Sequence, residues 1–322
     1  MFKKLVQKVY HNLFNHRCEK VDYLKYYTYQ DFPQMKEEKI AFKTTDDNIL
    51  RGGIYYNQES IAEYQQIVVF CHGMWSGYLN YMTEIAMLVS RGFLVLAYDV
   101  TGTHESDGDG TKGFCLPLQD LQAAHAYIKN RDDSKNKKIA IIGHSWGGYT
   151  SLNSANLFDD ISKIVAISPP LSLDTIMKTN FSLLYGLVKK EVIKIEEGYF
   201  GNLTELNGLD ALKKDVDFLI IYSTDDQMVK DKYNYLPIRA LGPLKNVQSI
   251  VFNDRSHHPH YTKEANQKYQ ALNERLKKYH HQKKTGDEIK ELLKDVDWDQ
   301  VVEQDQQLWD QIATFLKEKE AC

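Results

Sequence analysis

The residues Gly143-His144-Ser145-Trp146-Gly147-Gly148 directly follow the apolar run Ile139-Ala140-Ile141-Ile142 and precede a stretch with helical patterning. This is the G-x-S-x-G spacing in the context of strand, sharp turn and helix. A serine at such a turn sits in a strained backbone conformation, so Gly143 and Gly147 are needed to let strand and helix approach while the hydroxyl projects at the sheet edge. The chemistry open to that hydroxyl is attack on a carbonyl, with negative charge developing beside the amides of the first helical turn. Upstream, Cys71-His72-Gly73-Met74 closes the run Ile67-Val68-Val69-Phe70. The backbone N–H of Met74 there can pair with that of Trp146 as a two-donor oxyanion hole.

A serine needs a base, and the base needs an orienting acid, both supplied from strand ends further along the chain. Phe218–Tyr222 runs into Ser223-Thr224-Asp225-Asp226-Gln227-Met228-Val229, which sets two carboxylates in one loop. Asp226 fits the pattern of a small residue, two variable residues, the acid and then an apolar position; Asp225 is the alternative. Val247–Phe252 is followed by Asn253-Asp254-Arg255-Ser256-His257-His258-Pro259-His260, three histidines where one base is required. His257 is the first histidine after the strand and a small residue, and His258 is the alternative. The two are adjacent, and no acidic or cysteine ligand stands at regular helical spacing nearby, so no metal site is expected.

The elements that must position these groups are written in the hydrophobic pattern. Lys39–Lys43 and Ile49–Tyr56 flank the polar cluster Thr44–Asn48 and predict a hairpin. Short apolar runs then recur at 67–71, 93–97, 139–142, 164–167, 218–222 and 247–252, each about the length of a strand buried on both faces. Helical patterns at 80–91, 116–130 and 147–157 lie between them, so the fold class is α/β with a mostly parallel central sheet and flanking helices. Residues 170–213 read as a small helical cap inserted between strands, and 1–35 as an N-terminal helical segment. The core is then 36–169 and 214–322, with a helical arm over about 262–295. From 262 to 286 there are seven basic and two acidic side chains, and from 287 to 322 four basic and eleven acidic, so two helices of opposite charge could pair as a hairpin. Trp298, Val301, Leu308, Ile312 and Phe315 stand at the spacing of one last helix packed on the sheet.

Composition bounds the function classes. The 322 residues are 43% hydrophobic and 26% charged, enough for a sizeable core and unlike a disordered or repetitive chain. A formal net charge of −4 gives no global electrostatic reason to bind nucleic acid. Cys18, Cys71, Cys115 and Cys322 form no C-x-x-C pair and fit reduced thiols in a cytoplasmic protein. No run approaches a membrane span, so integral membrane association is not expected. The basic N-terminus has Lys8, His11 and Asn12 where a signal peptide would be apolar. Leu5, Val9 and Phe14 predict one apolar face of a short basic helix, packed on the body of the protein in preference to a membrane or a partner.

With these motifs in hand, the chain resembles the α/β-hydrolase superfamily over about residues 36–322, and looks closest to bacterial serine-aminopeptidase-like and dienelactone-hydrolase-like hydrolases. The order Ser145, Asp226, His257 is that of the superfamily. Tyr98-Asp99-Val100-Thr101-Gly102-Thr103-His104-Glu105-Ser106 is similar to its D-x-x-G-x-G-x-S loop, with His104 in place of the second glycine. Ser223 and Ser256 stand where glycines are usual before the acid and the base. The resemblance implies acyl transfer to water with Ser145 as nucleophile, His257 as base, Asp226 as its orienting acid and the Met74 and Trp146 amides as oxyanion donors, without cofactor or metal. Small or medium carboxylic esters rank first as substrates and small peptides or amides second. A non-catalytic hydrolase fold used for binding is the reading of another class. The arm or the cap is the surface through which a homodimer would form.

Overall fold

In a run such as Ile139-Ala140-Ile141-Ile142, successive side chains point to opposite faces of a sheet, so an unbroken apolar run is satisfied only where both faces are covered. The computed structural model, which describes residues 2–181 and 184–317, covers them. In chain order the elements are α1 (Phe2–Phe14), β1 (Lys36–Lys43), β2 (Ile49–Tyr56), β3 (Gln66–Cys71), α2 (Met82–Ser90), β4 (Leu94–Tyr98), α3 (Leu116–Asn130), β5 (Lys138–His144) and α4 (Trp146–Asn153). There follow β6 (Ile161–Ile167), α5 (Leu173–Phe181), α6 (Tyr185–Phe200), α7 (Gly208–Ala211), β7 (Asp217–Ser223), α8 (Asp231–Ala240) and β8 (Val247–Phe252). The chain closes with α9 (Lys263–His281), α10 (Gly286–Leu292), α11 (Trp298–Val301) and α12 (Gln306–Lys317).

The eight strands form one sheet in the order β1-β2-β4-β3-β5-β6-β7-β8. β1 and β2 are an antiparallel hairpin, and β2 lies antiparallel to β4; every pairing from β4 to β8 is parallel. Ala140 and Ile142 face a layer made by α2 and α12, while Ile139 and Ile141 face a larger layer that includes α3, α4, α1 and α6. At about 2 kcal/mol for each fully buried Ile, this alternation is the main apolar contribution that holds the sheet between its layers. α3 shows how a helix is specified here, with Pro117 in its first turn and Leu118, Leu121, Ala124 and Ile128 buried along one stripe.

Several expectations are corrected. β8 is the edge strand, not one buried on both faces; Gln248, Ser249 and Val251 are exposed. The N-terminal helix ends at Phe14, and beyond it a single helical turn at Tyr29–Asp31 interrupts irregular chain. Arg17 there hydrogen-bonds the carbonyls of His104 (2.5 Å), Ser106 (2.8 Å) and Gly108 (2.6 Å), and Cys18 beside it pairs with Thr103 as an isolated β-bridge, which needs extended backbone. α1 buries Val6, Tyr10 and Phe14 and leaves Leu5 and Val9 exposed, a different face from that expected. The last helix is two. α11 joins a satellite core with Leu272, Ile289 and Leu293, and only α12 packs on the sheet. The break falls where Gln304 bridges to Tyr261 and Asp305 caps Leu308 N. The basic and acidic helices of the arm meet through that apolar core, with Arg275–Asp295 at 3.5 Å as an exposed ion pair. Cys18, Cys71 and Cys115 are free thiols, and Cys322 lies outside the described residues.

Asp120 and Asp99 are among the carboxyls buried without a cation beside them. Asp120 of α3 accepts bonds from Thr101 N (2.7 Å) and the Thr101 hydroxyl (3.0 Å), and Asp99 accepts from the amides of Tyr78 (3.0 Å) and Glu105 (3.1 Å). Burial pushes each up to about 7 against those hydrogen bonds. Between pH 4 and about 7 the folded state therefore holds protons that the unfolded state has lost, so these groups subtract stability as pH rises through that window. Asn at position 120 keeps the acceptor for Thr101 N and carries no charge. Asp120→Asn is thus expected to gain stability relative to wild type between pH 5 and pH 8; thermal unfolding of both proteins at the two pH values checks this, and a constant difference would refute it.

Candidate active site

The site begins with the crossing of β5 into α4. Ser145 has φ 57° and ψ −116°, a conformation L residues rarely adopt, and its N–H is held by the Ile167 carbonyl at 2.8 Å. The turn closes because nothing projects from its glycines. A Cβ on Gly147 would stand 1.9 Å from the Cys71 carbonyl oxygen, and one on Gly143 would stand 2.3 Å from the Gly147 carbonyl oxygen. The start of α4 thereby lies against the end of β3, beside the His72–Met74 loop.

Ser145, Asp226 and His257 come together from three strand ends. Ser145 Oγ lies 2.8 Å from His257 Nε2, and His257 Nδ1 lies 2.7 Å from Asp226 Oδ2. Ser145 is half-buried, whereas His257 and Asp226 are buried. The other Asp226 oxygen accepts the amides of Met228 (2.7 Å) and Val229 (2.9 Å). Burial alone raises the Asp226 pKa, but the His257 ring and the two amides together hold it below its ordinary value. An ionised Asp226 fixes the proton on Nδ1 and leaves Nε2 free to accept the serine proton.

The alternatives are engaged elsewhere. Asp225 accepts a bond from the Ser223 hydroxyl and one from Ser256 N (3.0 Å), which ties the loop after β7 to the loop after β8. His258 is stacked on Tyr261 with ring centroids 5.2 Å apart, and burial among its neighbouring histidines holds its pKa well below the ordinary value. His260 pairs with the buried Glu84 of α2 at 3.1 Å. Among the described residues no group of three or more His, Cys, Asp and Glu is arranged to hold a metal ion.

Across from Ser145, the Met74 amide is set by peptide orientation. His72 Nε2 accepts Val100 N at 3.0 Å, so its proton is on Nδ1, which donates to the Gly73 carbonyl at 2.8 Å; the Ser76 hydroxyl donates to the same oxygen at 2.6 Å. Burial pushes the His72 pKa down to about 4, which keeps the ring neutral. The Gly73 carbonyl and the Met74 N–H belong to one planar trans unit and point in opposite directions. Fixing the carbonyl therefore fixes the amide. Trp146 is the first residue of α4, so its N–H has no acceptor within the helix. Its indole N–H donates to the Phe114 carbonyl at 2.7 Å.

Two positioning residues are not singled out by the sequence reading, Ser76 and His144. His144 Nε2 donates to the His257 carbonyl at 2.8 Å, and its Nδ1 accepts from the Tyr81 hydroxyl at 3.0 Å, so the residue before the serine holds the backbone of His257. The only signal in the sequence is that a histidine occupies the variable position of G-x-S-x-G. A cleft of about 310 Å³ among the helices between β6 and β7, lined by Leu173, Asp174, Lys189 and Asn207, does not include Ser145, Asp226 or His257.

The model of the family described as Hydrolase_4, serine aminopeptidase, S33, matches residues 62–240. Among curated relatives, 2-hydroxy-6-oxononadienedioate/2-hydroxy-6-oxononatrienedioate hydrolase 1 of Pseudomonas putida is 32% identical over 121 residues, covering 36% of this chain and 40% of the relative. Cutinase est1 of Thermobifida alba is 28% identical over 142 residues, covering 42% of this chain and 45% of the relative. The chain thus spans less than half the length of these relatives. Among solved structures, an esterase of Pyrococcus furiosus superposes with a TM-score of 0.57 at 22% identity, over 80% of this chain and 94% of that one. This likeness is one of fold.

Because Gly147 leaves no room for a side chain, Gly147→Ala is expected to cost about 3 kcal/mol or more. Chemical denaturation reads this directly. A variant as stable as wild type would show that the α4–β3 approach is not tight.

Proposed function

Since the chain belongs to the Hydrolase_4, serine aminopeptidase (S33), family of α/β-hydrolases, we propose that it hydrolyses a carboxylic ester of small or medium acyl length through an acyl-enzyme on Ser145. The observation that carries this reading is the unbroken hydrogen-bond line from Ser145 Oγ through His257 to Asp226, at 2.8 and 2.7 Å. Ser145 Oγ attacks the acyl carbon as its proton passes to His257 Nε2, and the carbonyl oxygen becomes an oxyanion held by the Met74 and Trp146 amides. Collapse expels the alcohol, which takes the proton from His257. Water then repeats the sequence against the acyl-enzyme, giving the acid and restoring the serine hydroxyl. No cofactor takes part in these steps. α5 and α6, between β6 and β7, serve as the cap in this reading.

An ester substrate is favoured by the likeness to a cutinase, and a peptide or amide substrate by the description of the family itself. Both proceed through the same acyl-enzyme, so leaving-group preference separates them. A fluorophosphonate probe, which reacts with an activated serine whatever the natural substrate, is expected to label wild type and not a folded Ser145→Ala. No labelling of folded wild type would favour a non-catalytic binding protein. With p-nitrophenyl esters from acetate to octanoate, Ser145→Ala and His257→Ala are expected to lose roughly 10⁴-fold or more in kcat. His258→Ala should retain most of it, and the reverse result would reassign the base. Turnover of aminoacyl p-nitroanilides faster than that of the esters would establish the peptidase reading instead.

A further inference from the structure

Thirteen large apolar side chains are exposed among the described residues, and their distribution is uneven. Phe2, Leu5, Val9 and Leu13 of α1 are 43%, 57%, 53% and 43% exposed. At 100° per residue they fall within about 80° of one another, beside the buried stripe of Val6, Tyr10 and Phe14. Three more lie on or beside α6, and Trp75 and Met228 lie in the loops after β3 and β7. Seven of the thirteen therefore stand on α1 or on and beside α6, and Trp75 and Met228 lie in loops that leave β3 and β7 at the edge where Ser145 lies. α1 is fixed to that edge. Lys3 pairs with Glu191 of α6 at 3.4 Å, Tyr10 donates to Glu196 of α6, and the Phe14 carbonyl accepts Lys112 N at 3.0 Å.

Charge selects what covers this face. From Phe2 to Cys18 the chain carries Lys3, Lys4, Lys8 and Arg17 and no carboxylate, although its overall formal charge is −4. Lys4 and Lys8 are exposed and form no ion pair with any described residue; Lys8 stands about 60° from the apolar stripe, on its flank away from the buried one, and Lys4 about 40° further round. A second copy of the chain seated on the same face would bring these lysines together. An apolar strip edged by cations matches the depth profile of a bilayer with anionic headgroups. No helix among the described residues is long and apolar enough to cross a membrane, so α1 would lie in the surface. We propose that α1 docks the protein on an anionic lipid surface, with Phe2, Leu5, Val9 and Leu13 in the acyl boundary and Lys4 and Lys8 against the headgroups. The carboxyl edge of the sheet then faces the bilayer. This docking does not depend on the acyl-transfer reading and is tested without it.

The test is sedimentation of the full chain with vesicles of phosphatidylcholine and phosphatidylglycerol in about a 3:1 ratio, and with phosphatidylcholine alone. Binding is expected to the mixed vesicles, weakened by added salt, and falling at least ~10-fold in both Leu5→Glu/Val9→Glu and Lys4→Glu/Lys8→Glu. The substituted side chains are exposed, so thermal unfolding should be close to that of wild type in both variants. Absence of binding, equal binding to neutral vesicles, or unchanged binding in either double variant would overturn the proposal. A dimer in sedimentation velocity that Leu5→Glu/Val9→Glu dissolves, without vesicle binding by wild type, would assign the stripe to a second copy and overturn it equally.

Discussion

The approach that the rest depends on is that of Gly147 to the carbonyl of Cys71, with room for a hydrogen and nothing larger. It lets the first turn of α4 lie against the end of β3. Only then do the Trp146 amide, the His72–Met74 loop and the hydroxyl of Ser145 share one small volume. The left-handed φ of Ser145 is the conformational cost of that approach, and the β5–β6 register that places the Ile167 carbonyl at its N–H holds it. The parallel sheet therefore does more than support the site. Its spacing sets the distance between the Ser145 hydroxyl and the amides across from it.

Around this crossing, polar groups are buried to orient backbone and stay uncharged where a charge would be stranded. His72 turns one peptide unit and His144 anchors another. Both rings are neutral because burial disfavours their protonated form. Asp226 is the contrast. It is as deeply buried, yet an imidazole and two amides make its ionised form the stable one. The same low-polarity surroundings thus yield neutral histidines used as props and one persistent anion, and the difference lies in the donors each group meets.

How much of this is legible in the sequence depends on the range of the interaction. Runs such as Ile139–Ile142 announce buried strands because both faces must be apolar, and G-x-S-x-G announces the turn because the steric demand is local. β8 is misread as a doubly covered strand since Val247, Ile250, Val251 and Phe252 mask Gln248 and Ser249, whose exposure reveals an edge. Helical spacing alone carries one helix through 302–305, because the bridge from Gln304 to Tyr261 that breaks it is made with a residue more than forty positions away. For the site, residue type and order identify candidates, but spacing cannot separate Asp225 from Asp226 or His257 from His258. What separates them is the crossed bonding of the two loops, in which Asp225 takes Ser256 N and Asp226 takes the His257 ring. The role of His144 is hidden for the same reason, since its partner is a carbonyl 113 residues on.

The fastening of α1 also bears on the order in which the chain can assemble. Tyr10 is held by Glu196 and by Phe114 N, at separations of 186 and 104 residues. During synthesis α1 leaves the ribosome long before either partner exists, with its apolar stripes unpaired. Its bonds to Phe114 and Glu196 wait for those residues to be made, and contacts of such separation carry a loop-closure cost that local ones do not. An element made before its partners is thus fastened by them, and through Phe114 and the Trp146 indole its seating reaches the rim of the site.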